Sequence, residues 1–187
     1  MSTVAQSSLS VRFRSSDEVF DALEAGASGS DDERVDLLSH MLQCAAILER
    51  VAPNDPELQI AGLVHDLGTV LAPGRPETHA GTGAGAIGGL LGPRVAGLVA
   101  RHDEAKRYLV TTDPRYRHRL SPRSLETLRL QGGLLDPEER AAFLNSPDRD
   151  ACLTLRRADD AAKAPGARVP GLGYWRGTLE QLARPAA

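Results

Sequence analysis

Apolar residues recur along most of the chain at the three- and four-residue spacing of an α-helix, and no useful length alternates as a β-strand does. The clearest apolar stripe consists of Leu37, Met41, Cys44 and Leu48. We expect this stripe to form a core helix, with Asp31 or Asp32 as its N-cap. A second stripe, after Pro93, consists of Val95, Leu98, Val99, His102 and Lys106. Because such spacing brings residues to one helix face, the pattern predicts an all-α protein.

Helix starts are marked by a capping residue directly before a proline. Such pairs are Asp55-Pro56, Ser121-Pro122, Asp136-Pro137 and Ser146-Pro147. The first of these helices is expected to end at Gly68, and the last at about Lys163. The segment from Ala72 to Gly92 is rich in glycine and predicts a loop, with a weak helix after His79. Shorter helices are predicted over 17–25 and 174–183.

Length, composition and charge narrow the class of protein. The 187 residues, 41% of them hydrophobic, suit one domain with one core: a loosely ordered N-terminal segment (1–30), a metal-binding core (31–163) and a C-terminal loop and helix (164–187). A net charge of −3 gives no general attraction to nucleic acid or membrane surfaces. The two cysteines are far apart, and we find neither a signal-like start nor a membrane-spanning apolar run. These features predict a cytoplasmic protein.

Four of the five histidines, together with two aspartates, indicate the chemistry. In chain order this set is His40, His65, Asp66, His79, His102 and Asp159. Iron, zinc, manganese and cobalt all accept mixed imidazole and carboxylate ligands, and the absence of a thiolate cluster disfavours a structural zinc site. The adjacent His65 and Asp66 can both reach one centre if a helix ends there. We therefore predict a catalytic metal site.

Asp66 is the predicted bridge of a dinuclear site, because the two oxygens of a carboxylate can bind two cations. The predicted ligands are His40, His65, Asp66 and Asp159 for one metal, and Asp66, His79 and His102 for the other. This assignment leaves open positions for water, oxygen or substrate. The remaining histidine, His118, lies among arginines and is predicted at the surface. Asp103 follows His102 but points about 100° away on a helix, so we expect it to face away from the site.

The order of these histidines and aspartates resembles that of the HD-domain superfamily, which contains metal-dependent phosphohydrolases and a small set of iron oxygenases. Four segments resemble the phosphonate-degrading HD oxygenases, mixed-valence diiron enzymes distantly related to myo-inositol oxygenase. These segments are 102–109, 120–125, 130–133 and 155–163. The resemblance covers roughly Asp31 to Lys163.

The resemblance implies a helical bundle holding two iron ions, cycled between Fe(II) and Fe(III), with O2 as co-substrate. It implies oxidative cleavage of the C–P bond of a small 1-hydroxyphosphonate, similar to 2-amino-1-hydroxyethylphosphonate, with release of phosphate. The partner is then a small anionic molecule, and the sequence does not indicate the oligomeric state. The implied catalytic residues are Asp66, Lys106 and Glu33, and the implied substrate-binding residues are Lys106, Ser124, Gln131 and Arg156. Lysine and arginine would form charge-assisted hydrogen bonds to the phosphonate.

The chain departs from the family pattern in two places. Family members carry a tyrosine and a glutamate that cover the second iron before substrate binds; Glu33 matches the glutamate, but no tyrosine precedes it. The loop between Asp66 and His79 is also shorter than in the family. Two alternatives stay open: an HD phosphohydrolase, in which a metal-bound water attacks a nucleotide or phosphate ester, and a regulatory module with a vestigial site.

Overall fold

The computed structural model describes residues 11–28 and 35–184, so Glu33, Asp31 and Asp32 lie outside the described residues. Within these ranges the chain forms α-helices and one short 3-10 helix and contains no β-strand, which confirms the all-α prediction. The helices are α1 (Ser16–Ala25), α2 (Leu37–Val51), α3 (Pro56–Val64), α4 (Leu67–Leu71), α5 (His79–Thr112), α6 (Pro114–Arg117), α7 (Pro122–Leu130), α8 (Pro137–Leu144), α9 (Arg149–Ala161) and α10 (Leu172–Leu182).

Capping side chains fix several helix starts. The predicted starts at Pro56, Pro122 and Pro137 are confirmed, since each proline follows a side chain that caps the helix. The cap of α2 is Asp36 rather than an earlier aspartate: its Oδ1 accepts a 2.8 Å hydrogen bond from the backbone N–H of Ser39. The predicted start of α9 is wrong by a few residues, because the Ser-Pro pair forms a turn before the helix.

The glycine-rich middle of the chain is more helical than predicted. Gly68 does not end a helix but lies inside α4, where an added Cβ would overlap the backbone carbonyl of His79. Glycine is therefore needed there for close packing of α4 on α5. The weak helix predicted after His79 is a continuous helix, the first half of α5, because packing of its inner face outweighs the low helix propensity of glycine. That face buries Ala80, Gly83, Ala86, Ile87, Leu90 and Leu91.

A sharp bend divides α5 into two halves. Gly92 has φ 86° and ψ 171°, a backbone conformation that side chains disfavour, and Pro93 follows it. The chain reverses at this point. In a straight helix, His79 and His102 would be about 35 Å apart at 1.5 Å per residue, yet their Nε2 atoms lie 3.1 Å apart. The bend therefore brings two distant histidines into one site.

The core forms where α2, α3, α5 and α9 pack against one another. Its largest fully buried side chains include Met41, Leu48, Ile60, Phe143, Leu155 and Trp175. The helix predicted over 17–25 is confirmed as α1, which contributes Val19, Phe20 and Leu23 to this core. The free cysteines Cys44 and Cys152 are buried as small core residues.

α5 is long and apolar enough to cross a membrane, with a mean hydropathy of 1.3 in its most apolar 18-residue window. However, half of that window is buried inside the protein. The helix also bends at Gly92 and buries polar side chains at His79, His102 and Lys106. We therefore interpret α5 as a core helix.

Candidate metal centre

Two clusters of side chains that could each hold a metal ion lie within the helical bundle. The first brings together His40 from α2, His65 at the end of α3, and Asp159 from α9. The Nε2 atom of His40 lies 3.2 Å from Nε2 of His65 and 3.2 Å from Oδ1 of Asp159. The second brings together His79 and His102 from the two halves of α5. The first cluster thus needs three helices far apart in the sequence, and the second needs the bend in α5.

Asp66 lies between the two clusters, in the break that separates α3 from α4. Its Oδ2 atom lies 3.7 Å from Nε2 of His40 and 3.5 Å from Nε2 of His65. Its Oδ1 atom lies 3.3 Å from Nε2 of His79 and 3.6 Å from Nε2 of His102. One oxygen therefore faces each pair of histidines, as in a carboxylate that bridges two cations.

The orientation of the four imidazole rings tests whether the site fits metal ions. Each Nδ1 faces a backbone carbonyl at 2.6–3.0 Å; the partners are Ala162 for His40, Gly62 for His65, Pro76 for His79 and Val99 for His102. Because a carbonyl only accepts, each Nδ1 carries the proton and each neutral ring directs its Nε2 lone pair inward. Four lone pairs and two carboxylates then converge, which is favourable only around cations. The donor set fits two metal ions that prefer nitrogen and oxygen ligands.

In the metal-free protein, protons bound to histidines supply part of the positive charge that the metal ions would supply. Burial alone would lower the pKa of His65, but the carboxylates of Asp66 and Asp159 outweigh burial and raise it to about 9. Burial is likewise outweighed at His79, where Asp66 and Asp103 raise the pKa to about 9. Metal ions must displace these protons, so metal affinity is expected to rise with pH.

A pocket of about 110 Å³ opens onto both clusters, and Lys106 supplies a buried positive charge to it. Lys106 is only 2% exposed, and its Nζ donates a 3.1 Å hydrogen bond to Oγ1 of Thr127. Burial lowers the pKa of this lysine. An ammonium group held out of water gains strongly from an anionic ligand, so the pocket suits a small anion.

The other predicted substrate-binding residues, Ser124, Gln131 and Arg156, line the same pocket. The Nε2 atom of Gln131 donates to the carbonyl of Pro76 at 3.4 Å, and its Oε1 is buried without a hydrogen-bond partner among the described residues. That oxygen is therefore able to accept a hydrogen bond from a ligand. Buried Ser124 contacts the hydroxyl of Ser121 at 3.1 Å.

Arg156 is held by three neighbouring side chains. Its Nη1 lies 2.7 Å from Oδ2 of Asp159, its Nε donates to the Tyr116 hydroxyl at 3.0 Å, and its Nη2 donates to Asp160. These contacts fix the second oxygen of Asp159, whose first oxygen faces the histidines. Arg156 therefore orients a member of the first cluster as well as lining the pocket.

Two pocket residues differ from the sequence-based expectation. Asp103, expected to face away, instead lines the pocket, with its Oδ1 3.5 Å from Nε2 of His102. Because α5 reverses at Gly92, its first half, with His79, packs beside its second half. Both His102 and the adjacent Asp103 therefore reach the site. Thr127 was not predicted; its position three residues after Ser124 on α7 was the available signal. His118 is exposed, as predicted.

Comparison with known proteins agrees with this architecture. The HD-domain family model matches residues 37–144, and the chain belongs to the HD-domain family. Over 151 residues, 76% of each chain, it is 32% identical to [1-hydroxy-2-(trimethylamino)ethyl]phosphonate dioxygenase (glycine-betaine-forming) of Leisingera caerulea. Over 171 residues, 87% of this chain and 85% of the relative, it is 32% identical to hydroxymethylphosphonate dioxygenase of Gimesia maris. The predicted resemblance to HD-domain phosphonate oxygenases is confirmed, and these names indicate an oxidoreductase.

Proposed function

We propose that this protein is a diiron oxygenase that uses O2 to cleave the C–P bond of a small 1-hydroxyphosphonate, of which 2-amino-1-hydroxyethylphosphonate is the reference compound. The observation that carries the proposal is the position of Asp66 between two histidine pairs, beside a pocket that contains the buried ammonium group of Lys106. Oxidative chemistry on a hydroxyphosphonate is supported by the two relatives named as dioxygenases of hydroxyphosphonates.

The proposed reaction balances without an external reductant. A 1-hydroxyphosphonate and O2 together contain the atoms of a carboxylic acid and phosphate. The hydroxylated carbon is oxidised, O2 is reduced, and the C–P bond breaks. The name of one relative, glycine-betaine-forming, describes a carboxylic acid product of this type.

The proposed metal ligands are those of the two clusters: His40, His65 and Asp159 for one ion, His79 and His102 for the other, and Asp66 for both. Bound iron, cycling between Fe(II) and Fe(III), would activate O2 and oxidise the hydroxylated carbon. Lys106 binds a phosphonate oxygen, and Arg156 keeps Asp159 oriented. Ser124 and Gln131 offer hydrogen bonds to the substrate. Glu33, outside the described residues, keeps the catalytic role implied by the resemblance.

The proposed setting follows from the same observations. We place the reaction in the cytoplasm, within one domain, and expect a small organic anion as the partner rather than nucleic acid or a membrane. A pocket of about 110 Å³ suits such a substrate.

The experiment compares oxygen consumption with phosphate release. Iron-loaded, partly reduced protein is mixed with 2-amino-1-hydroxyethylphosphonate or hydroxymethylphosphonate, and metal-free protein serves as the control. We expect equal amounts of O2 consumed and phosphate formed, and neither without iron. Phosphate release from nucleotides or phosphate esters without oxygen uptake would contradict the proposal and favour an HD phosphohydrolase.

A further inference from the structure

Asp103 places a negative charge where an incoming anion has to bind. Its Oδ1 lies 3.5 Å from Nε2 of His102 and 3.6 Å from Nζ of Lys106. The same oxygen thus lies between His102 of the second cluster and Lys106, the lysine that α5 contributes to the pocket wall. An anionic oxygen that contacts both the second metal position and Lys106 needs this space.

The carboxylate of Asp103 is held loosely. Its side chain is only 14% exposed, so the charge stays within the pocket rather than in bulk water. Its Oδ2 lies 3.6 Å from Nδ1 of His79, which already donates to the carbonyl of Pro76 at 2.6 Å. Contacts of 3.5–3.6 Å are longer than hydrogen bonds of about 2.7–3.2 Å. Asp103 is therefore attracted to three potential cations without being fixed by any of them.

We propose that Asp103 is a specificity-determining residue that competes with simple anions for Lys106 and the second metal position. The proposal rests on the proposed function, because it takes Lys106 as the residue that binds the phosphonate. Inorganic phosphate binds through its charged oxygens alone, without a hydroxylated carbon, and must overcome the repulsion of Asp103. A 1-hydroxyphosphonate also offers a hydroxyl group as a second attachment, and this attachment compensates for the repulsion.

This competition has a consequence for turnover. The product phosphate lacks the hydroxylated carbon that held the substrate, so it keeps only the contacts that Asp103 weakens. Like charges placed together in a pocket of low dielectric disfavour binding strongly. Asp103 therefore favours release of the product and keeps free phosphate from occupying the site.

The test measures phosphate affinity directly. Isothermal titration of metal-loaded protein with inorganic phosphate is compared among wild type, Asp103→Asn and Glu104→Gln. The asparagine keeps the shape of the side chain and removes its charge; Glu104 is the neighbouring residue outside the pocket, and its variant loses the same charge. We expect phosphate to bind Asp103→Asn at least about tenfold more tightly than wild type, and Glu104→Gln to match wild type.

Unchanged or weaker phosphate binding by Asp103→Asn would overturn the proposal, as would equal tightening in Glu104→Gln. If Asp103→Asn fails to fold, Asp103→Ser carries the same expectation. Steady-state kinetics give a second measure: phosphate inhibition of Asp103→Asn should strengthen by the same factor.

If wild type cleaves no hydroxyphosphonate but phosphate still binds more tightly to Asp103→Asn, the proposed function fails and the role of Asp103 stands. If wild type is active and Asp103→Asn binds phosphate no better, only the role of Asp103 fails.

Discussion

Replacing Lys106 with methionine separates binding of the substrate from stability of the fold. Methionine has a similar length and is apolar, so it fills the same buried space without the charge. Lys106 is 2% exposed, and burial lowers its pKa, so the folded protein holds this ammonium group in an unfavourable environment. The structure therefore predicts a large loss of substrate affinity with little change in the free energy of unfolding.

The size of each effect follows from the contacts of the ammonium group. A hydrogen bond between charged groups contributes about 1.5–3 kcal/mol, so KM for a hydroxyphosphonate should rise roughly 10- to 100-fold in Lys106→Met. The value of kcat should change less, because the proposed role of Lys106 is to bind the phosphonate group rather than to act at the hydroxylated carbon. The free energy of unfolding should fall by no more than about 1 kcal/mol, since the variant also removes a costly buried charge.

Initial rates of oxygen uptake give KM and kcat, and urea unfolding gives the stability. Arg157→Met is the control, because Arg157 is an exposed cation on α9 outside the pocket lining. The control should retain wild-type KM. An unchanged KM in Lys106→Met would refute the assignment of Lys106 as the phosphonate-binding residue.

The remaining predictions concern the metal ions, the pH and the bend in α5. Asp66→Ala should lose both metal ions, whereas His102→Ala should keep one, as measured by the metal content of the purified variants. The pKa values of His65 and His79 are about 9 in the folded protein and about 6.5 in the unfolded chain. Protonation of these histidines therefore stabilises the metal-free protein, and this stabilisation is fully present below pH 6.5. Up to about 3 kcal/mol for each of the two histidines should be lost as the pH rises from 6.5 to 9, measured by urea unfolding with chelator present. Gly92→Ala should cost about 1–3 kcal/mol, because alanine disfavours φ 86°, and should lower occupancy of the second metal position.

Each of these expectations has a clear contradiction. Loss of one metal ion in both metal variants would exclude a bridging role for Asp66. Constant or rising stability of the metal-free protein between pH 6.5 and 9 would mean that the two histidines are not charged in the folded state. The control for the bend is Gly89→Ala, an exposed helical position with open space around it, where alanine should stabilise by about 0.5–1 kcal/mol. Equal destabilisation by Gly92→Ala and Gly89→Ala would show that the positive φ of Gly92 is not the cause of the effect.

The sequence predicts the parts of the fold that depend on local chemistry. Proline behind a capping side chain marks the starts at Pro56, Pro122 and Pro137 because both residues act within one turn of the helix. The adjacent His65 and Asp66 indicated a helix end at a metal site, and the chain does leave α3 there.

The parts that sequence reasoning missed depend on contacts between distant segments. A glycine after an apolar helical pattern is typical of a helix end, and Gly68 was therefore predicted to end a helix. Instead it lies inside α4, where the absence of a side chain allows close packing against the backbone of His79. The orientation of Asp103 could not be obtained from the helical angle to His102 alone, because the reversal at Gly92 decides which neighbours surround α5. Local patterns carry no information about either contact.

The most direct test of the account is low-temperature EPR of iron-loaded, partly reduced protein, together with a count of bound iron. We expect two iron ions per chain and a spin-coupled mixed-valence signal that changes when hydroxymethylphosphonate is added. A single iron, or two ions without a coupled signal that responds to the phosphonate, would contradict a dinuclear oxygenase centre bridged by Asp66.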